Sequence, residues 1–265
     1  MNAWAAYLGD LRLSAGLAAD ALATVAAAAG KVYPADAASF LLTTGLTPQA
    51  IYLFNEASGA LDDKVGTADL VAGGSPTFNY DMAGDRNGVH YDGSGDKHSA
   101  DVHALGTGSG IYGVVFDMAT NPGSSTSNIV GRINATLADG VALRIVNTGN
   151  VPSVLCRDGG STASVGVNFT MDIRTGGPML ATIQVDRSAN VVRARITKAN
   201  GTFEQVTTAS IASFGTLDGA SQEFGFGGIF GHVYGAACAY GFVITGASAA
   251  GANVLAGLHD TLGWE

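Results

Sequence analysis

Charge is scarce in this chain, and the positive kind scarcest. Asp, Glu, Lys and Arg make up 13% of 265 residues, with 13 Lys or Arg against 22 Asp or Glu and a net charge of −9. Nucleic acid is excluded as a partner on that ground, because phosphate binding needs clustered Lys and Arg, and an anionic membrane surface is disfavoured with it. No run of 18 or more uncharged apolar residues occurs, so no transmembrane helix is expected. Cysteine is nearly absent. Cys156 and Cys238 make no disulfide framework, and both stand in apolar, strand-like runs where a thiol behaves as a small hydrophobe. Two buried thiols are the expectation, a single bridge the alternative. A secretion signal is also missing: no Lys or Arg precedes the apolar part of the opening, and Asp10 and Asp20 interrupt it.

Glycine is abundant instead. The 38 glycines are about twice the ordinary share, and apolar residues reach 47%, which rules out a disordered composition. Residues 1–30 read as helix, because Trp4, Leu8, Leu11, Ala15, Ala18, Leu22, Val25 and Ala29 alternate by four and three and draw one apolar stripe. Gly30 is placed to cap it. Lys31–Thr47, with Pro34 inside it and Pro48 just after, reads as a connector with one helical turn around Ala37–Leu42. From Thr47 the pattern turns to β. Strands are expected at Ile51–Phe54, Val89–Tyr91, Ile111–Asp117, Asn128–Ile133, Val141–Val146, Val154–Cys156, Val165–Phe169, Leu180–Asp186, Val191–Thr197, Glu204–Thr208, Glu223–Ile229 and Cys238–Thr245. Turns such as Asp139-Gly140 and Asn200-Gly201 separate them. A dozen short strands at this spacing, without a fixed repeat, predict a mainly β protein: an antiparallel sandwich with an N-terminal helical segment.

One stretch organises the remainder. Ile51–Phe54 runs into Asn55-Glu56-Ala57-Ser58-Gly59, then Asp62, Asp63 and Gly66. Val89-His90-Tyr91-Asp92-Gly93-Ser94-Gly95-Asp96-Lys97-His98 reads as a strand, a reversing turn and a second polar segment. This order resembles the opening of laminin-G-like domains in the concanavalin A-like lectin/glucanase superfamily. Leu180–Ile196 followed by Asn200-Gly201 resembles that family's hairpin, and Tyr240–Thr245 with Ala247–Leu258 its closing strand and short helix. The resemblance covers roughly residues 46–265 and implies a jelly roll. The expected division is therefore a helical docking or oligomerisation segment with its connector at 1–46, and a lectin-like sandwich at 47–265.

Glycosidases on this fold carry a Glu-x-Asp-x-x-Glu strand that sets an acid and a nucleophile about 5–5.5 Å apart. Here Glu occurs only at 56, 204, 223 and 265, none with an acidic partner at i+2 or i+4, so no enzyme is expected. The polar cluster His90, Asp92, Asp96, His98, Asp101 and His103 reads either as a metal or glycan site or as a solvated loop. Asp92, Asp96 and His98 are its candidate ligand-binding residues. No cofactor is expected. Calcium, which some laminin-G domains bind at the rim of the sandwich, has no mapped motif here. Arg193 and Arg195 alternate with apolar residues and share one face, suited to an anionic sugar or simply solvated. Tyr112, Phe226, Phe230 and Tyr234 are aromatic candidates for stacking on sugars.

Three functions fit these features. The first is a non-enzymatic structural protein of a tailed-phage particle, assembled in the host cytoplasm as a capsid decoration or tail appendage. Its N-terminal helix would dock through Trp4, Leu8, Leu11, Leu22 and Val25 on other virion proteins or on further copies of the chain. Its lectin-like domain would face host glycans. The second is a bacterial surface carbohydrate-binding module, and the third a degenerate glycosidase. The missing signal and the separate helix favour the first.

Overall fold

The computed structural model describes residues 31–82, 86–91, 95–118, 127–134, 139–146, 151–159, 163–174, 177–219, 221–227 and 236–265. Trp4, Leu8, Leu11, Leu22, Val25, Asp92, Phe230 and Tyr234 lie outside them.

Two antiparallel sheets face each other. The larger runs β13 (Phe203–Thr207), β12 (Val191–Lys198), β11 (Met179–Asp186), β6 (Gly110–Asp117), β15 (Ala236–Thr245), β4 (Arg86–Tyr91), β3 (Thr77–Met82), with β1 (Ala50–Tyr52) also paired to β15. The smaller runs β10 (Ser164–Asn168), β9 (Val151–Arg157), β8 (Gly140–Val146), β7 (Ser127–Asn134), β14 (Gln222–Gly227), β5 (Lys97–Ala100), β2 (Val71–Gly73). The result is a jelly-roll sandwich, as the alternation of the sequence predicts.

Every expected strand is present, within a few residues at its ends. β2, β3 and β5 were not expected, since they are short, polar or interrupted by glycine. One expectation is corrected. The run from Val89 to His98 does not reverse on itself: β4 pairs with β3 and β15 in the larger sheet, and β5 with β14 and β2 in the smaller. The chain crosses between the layers there.

Alternate residues of both sheets meet in the core. Tyr52, Phe54, Tyr112, Phe224 and Phe226 pack with ring centroids 5.0–6.2 Å apart in edge-on, tilted and stacked pairs. Each buried aromatic of this kind contributes about 1.5–3 kcal/mol by leaving water. Gly241 in β15 makes room for one of them, because a β-carbon on it would stand 2.5 Å from the Phe226 ring.

The larger sheet is covered on its outer side as well. Helix α1 (Ala37–Thr44) and helix α2 (Val254–Thr261) bring Phe40, Leu255, Leu258, Leu262 and Trp264 onto Ile111, Val115, Leu180, Phe242 and Ile244. That is why β6, β11 and β15 are buried along almost their whole length rather than alternately. Asp36 caps α1 by accepting from the Ser39 amide at 2.8 Å, and Gly45 ends it in the left-handed conformation at φ 71°. Residues 31–45, read from sequence as a connector, thus belong to this outer layer. Val32 donates to the Leu262 carbonyl at 3.0 Å, Lys31 Nζ to the Gly263 carbonyl at 2.9 Å, and Tyr240 Oη to the Pro34 carbonyl at 2.9 Å.

Among the described residues no helix is long and apolar enough to cross a membrane. Cys156 and Cys238 are both free and buried.

Candidate functional site

The polar residues singled out in the sequence are dispersed by the fold. His98 is wholly buried in the core, its Nε2 donating to the Gly59 carbonyl at 2.8 Å and its Nδ1 2.9 Å from Tyr91 Oη. Both ring nitrogens are therefore committed, and burial holds the imidazole's pKa down. Asp96 is also buried and accepts the Ser75 amide at 2.7 Å. His103 lies 2.7 Å from Tyr52 Oη through Nε2, and burial lowers its pKa to about 4. His90 stacks on Tyr80 with centroids 4.4 Å apart, while Asp101 pairs with Arg132 at 2.7 Å. These groups point in different directions. Among the described residues no three His, Cys, Asp or Glu side chains stand together as a metal would need. The Asp63 carboxylate organises the preceding loop, with Oδ1 accepting the Val65 amide at 2.9 Å and the Ile51 amide at 3.3 Å. Gly66 is needed beside it, because a β-carbon there would stand 2.9 Å from Asp63 Oδ2.

Arg193 and Arg195 do share one face of β12, but that face lies beneath α2 and the C-terminal residues. Arg193 binds the buried Asp186 carboxylate at 2.6 Å. Arg195 binds Glu265 at 2.5 Å and lies 3.7 Å over the Phe203 ring. Beside Arg195, His259 is held by Thr182 at 2.8 Å and Thr197 at 2.7 Å, fully buried, with its pKa pushed well below the usual imidazole value, chiefly by burial. The pair is thus neutralised within the fold and is not open to solvent.

Glu56 meets Lys64 at 3.3 Å, and Glu204 accepts the Thr170 and Met171 amides at 2.9 and 2.7 Å. Glu223 meets Lys97 Nζ and Ser99 Oγ, each at 2.6 Å. Every glutamate therefore already has a donor, Glu265 being held by Arg195.

A different surface carries unmet polar groups: the outward side of the smaller sheet. In β8, Val141, Leu143 and Ile145 face the core, so Ala142 and Arg144 face out. In β9, Val154 and Cys156 face in, and Ser153, Leu155 and Arg157 out. The register carries that row across the sheet as Leu155, Ala142, Gly131, Gly225 and Ser99. A bulge between Asn128 and Val130 turns Asn128 outward opposite Arg144. Asn128 has no exposure, and neither its Nδ2 nor its Oδ1 has a hydrogen-bond partner. The Nε atoms of Arg144 and Arg157 are buried and equally unmet. Each such group costs about 1–3 kcal/mol if nothing satisfies it.

The contrast with the other arginines is sharp. Arg132, Arg174, Arg193 and Arg195 each hold a carboxylate, whereas among the described residues none pairs with Arg144 or Arg157. A crevice of about 140 Å³ beside Arg132, lined by Leu105, Tyr112, Val141, Leu217 and Asp218, holds no such unmet charge, since Asp101 and Asp218 neutralise it.

No protein-family model matches the chain, and no curated protein matches it. Among solved structures, the botulinum neurotoxin serotype D binding domain is similar over 75% of this chain and 47% of its own, at 14% identity and a TM-score of 0.53. Tailspike protein 2 of an Escherichia coli O157:H7 bacteriophage is similar over 64% of this chain, at 15% identity and a TM-score of 0.49. The chain spans about a quarter of that tailspike's length, 24%. The CBM40 of a Ruminococcus gnavus IT-sialidase, bound to α2,3 sialyllactose, is similar over 59% of this chain and 89% of its own, at 11% identity and a TM-score of 0.46. At these identities the likeness is one of fold.

Proposed function

We propose that the chain is a non-enzymatic structural protein of a tailed-phage particle, held by its N-terminal segment and presenting a lectin-like sandwich to host glycans. The resemblance of residues 46–265 to laminin-G-like and concanavalin A-like domains is the sequence ground for it. The observation that carries the glycan half is the outward side of the smaller sheet, where Asn128, Arg144 and Arg157 keep unmet hydrogen-bonding groups. The four glutamates are each engaged by a donor instead of being paired for general acid and base work. This supports a binding role over a hydrolytic one.

The docking half rests on the stripe from Trp4 to Val25 and on where residue 31 lies. Lys31 and Val32 are fastened to Gly263 and Leu262 on the outer layer of the larger sheet, away from the smaller sheet. A glycan array, with and without calcium, tests the binding half. Retention of neutral or acidic glycans is expected, and silence across the array overturns it. Deleting residues 1–30 tests docking: the truncated sandwich should fold but fail to join particles, and its continued incorporation overturns the role.

A further inference from the structure

Among the described residues, Arg144, Arg157 and Asn128 stand on one face of the smaller sheet and each keeps a buried group with no hydrogen-bond partner. Arg144 and Arg157 flank the Ala142–Leu155 pair, two residue pairs to each side along neighbouring strands. Four residues of β-strand separate the two positions by about 13 Å, which two arginine side chains reaching toward each other can close. Burial lowers the pKa of Arg144, and the positive charge of Arg157 adds to that lowering. Two like charges thus share one face, partly out of water, with no carboxylate among the described residues paired to either. Both keep part of their surface in solvent, so a solute reaches them without unfolding the sheet.

Asn128 supplies the second, independent sign. Its amide is wholly buried, unmet at both atoms, and set on the same face opposite Arg144. A planar anion accepts from two guanidinium groups and from an amide N–H at once, and forked contacts of this kind are the strong ones. Leu155, Ala142 and Ile133 beneath form a small apolar cluster that supports the arginine stems and lowers the local dielectric.

We propose that Arg144, Arg157 and Asn128 form an anion subsite that takes the carboxylate of an acidic sugar. This deepens the glycan-binding reading and rests on it for the sugar, while the anion requirement stands on the arginines alone. Lys97 and Glu223 on the same sheet satisfy each other and leave the subsite its positive sign.

The two parts are separable in one experiment. Arginine Nε–H signals of the full chain are followed by NMR during titration with sulfate at low ionic strength, in the wild type and in R144Q, R157Q and N128A. Saturable shifts of both arginine signals are expected in the wild type, weakened roughly tenfold or more in each arginine variant. R144K, which keeps the charge and loses the fork, should fall between. The amide spectrum reports whether each variant is folded. Absence of a saturable shift in the wild type overturns the subsite, as does a shift of equal strength in R144Q and R157Q. Sialyllactose and lactose are then titrated in parallel. Tighter binding of the acidic sugar, lost in R157Q, supports the assignment. Binding of both sugars alike, unchanged in either arginine variant, overturns the subsite and leaves the glycan reading standing. Sulfate binding with no binding of either sugar supports the subsite and overturns its assignment to a sugar.

Discussion

The carboxylate of Glu265, the final residue, sits 2.5 Å from the guanidinium of Arg195 and 3.5 Å from the hydroxyl of Thr197. Glu265 is thereby part of the fold. Removing the carboxylate with E265Q leaves a buried guanidinium without its counter-charge, a loss of about 1–3 kcal/mol. Urea unfolding measures it. An unchanged midpoint would mean that water replaces Glu265 at no cost.

Acid should weaken this protein before its carboxylates titrate. His98, His103 and His259 are buried, and each has a folded-state pKa lowered by burial, to about 4 for His103. A group whose folded pKa is depressed contributes its full stability above the unfolded value near 6.5 and loses it as pH falls below that. The slope approaches about 1.4 kcal/mol per pH unit for each histidine that must stay neutral. Asp186, lowered by its hydrogen bonds from Ser188 and Arg193 although its burial acts the other way, adds its own loss only below the ordinary carboxylate range. Unfolding midpoints measured from pH 7.5 to 4.5 test this, and a flat profile would refute it.

Packing across the sandwich can be probed at Gly241. G241A drives a methyl group into the Phe226 ring and should cost about 1–3 kcal/mol. In a double-mutant cycle with F226L the two changes should be less than additive, because the smaller side chain relieves the clash. Strict additivity would show that the ring moves aside freely.

Both thiols should be silent in the native state. Burial raises the Cys156 pKa to about 12, and Cys238 is equally enclosed. Titration with a thiol reagent should find none reactive in native protein and two after denaturation. Two missing in both states would indicate a bridge.

The strands were most legible where apolar residues alternate with polar ones, as in β11 and β12, a period that fixes which side chains share a face. What alternation does not report is whether that face is covered. Arg193 and Arg195 share a face as read, yet the cover over them comes from His259 and Glu265, far along the chain. The polar run from His90 to His103 illustrates the same limit. Its residues are neighbours in sequence, but one strand joins the larger sheet and the next the smaller, which sends His98 inward and Asp101 outward. The subsite on the smaller sheet was missed for the converse reason. Arg144 stands at an outward position of a strand read from the sequence, and Arg157 one residue past the end of another, read as Val154–Cys156, and that was the available signal. Their meeting depends on register, and the outward turn of Asn128 depends on a bulge, neither of which the sequence pattern displays.

Lys31 and Val32 are buttoned to Gly263 and Leu262, so the chain enters and leaves the sandwich through one layer. A scaffold that grips the polypeptide ahead of Lys31 would carry each copy back-first, with the sheet of Arg144 and Arg157 turned away from the support. A fusion partner attached after Glu265 would crowd the gripping side, whereas the arginine side would stay clear. Repeated around a particle, that arrangement would turn weak single contacts of the proposed subsite into a many-handed hold on an acidic coat.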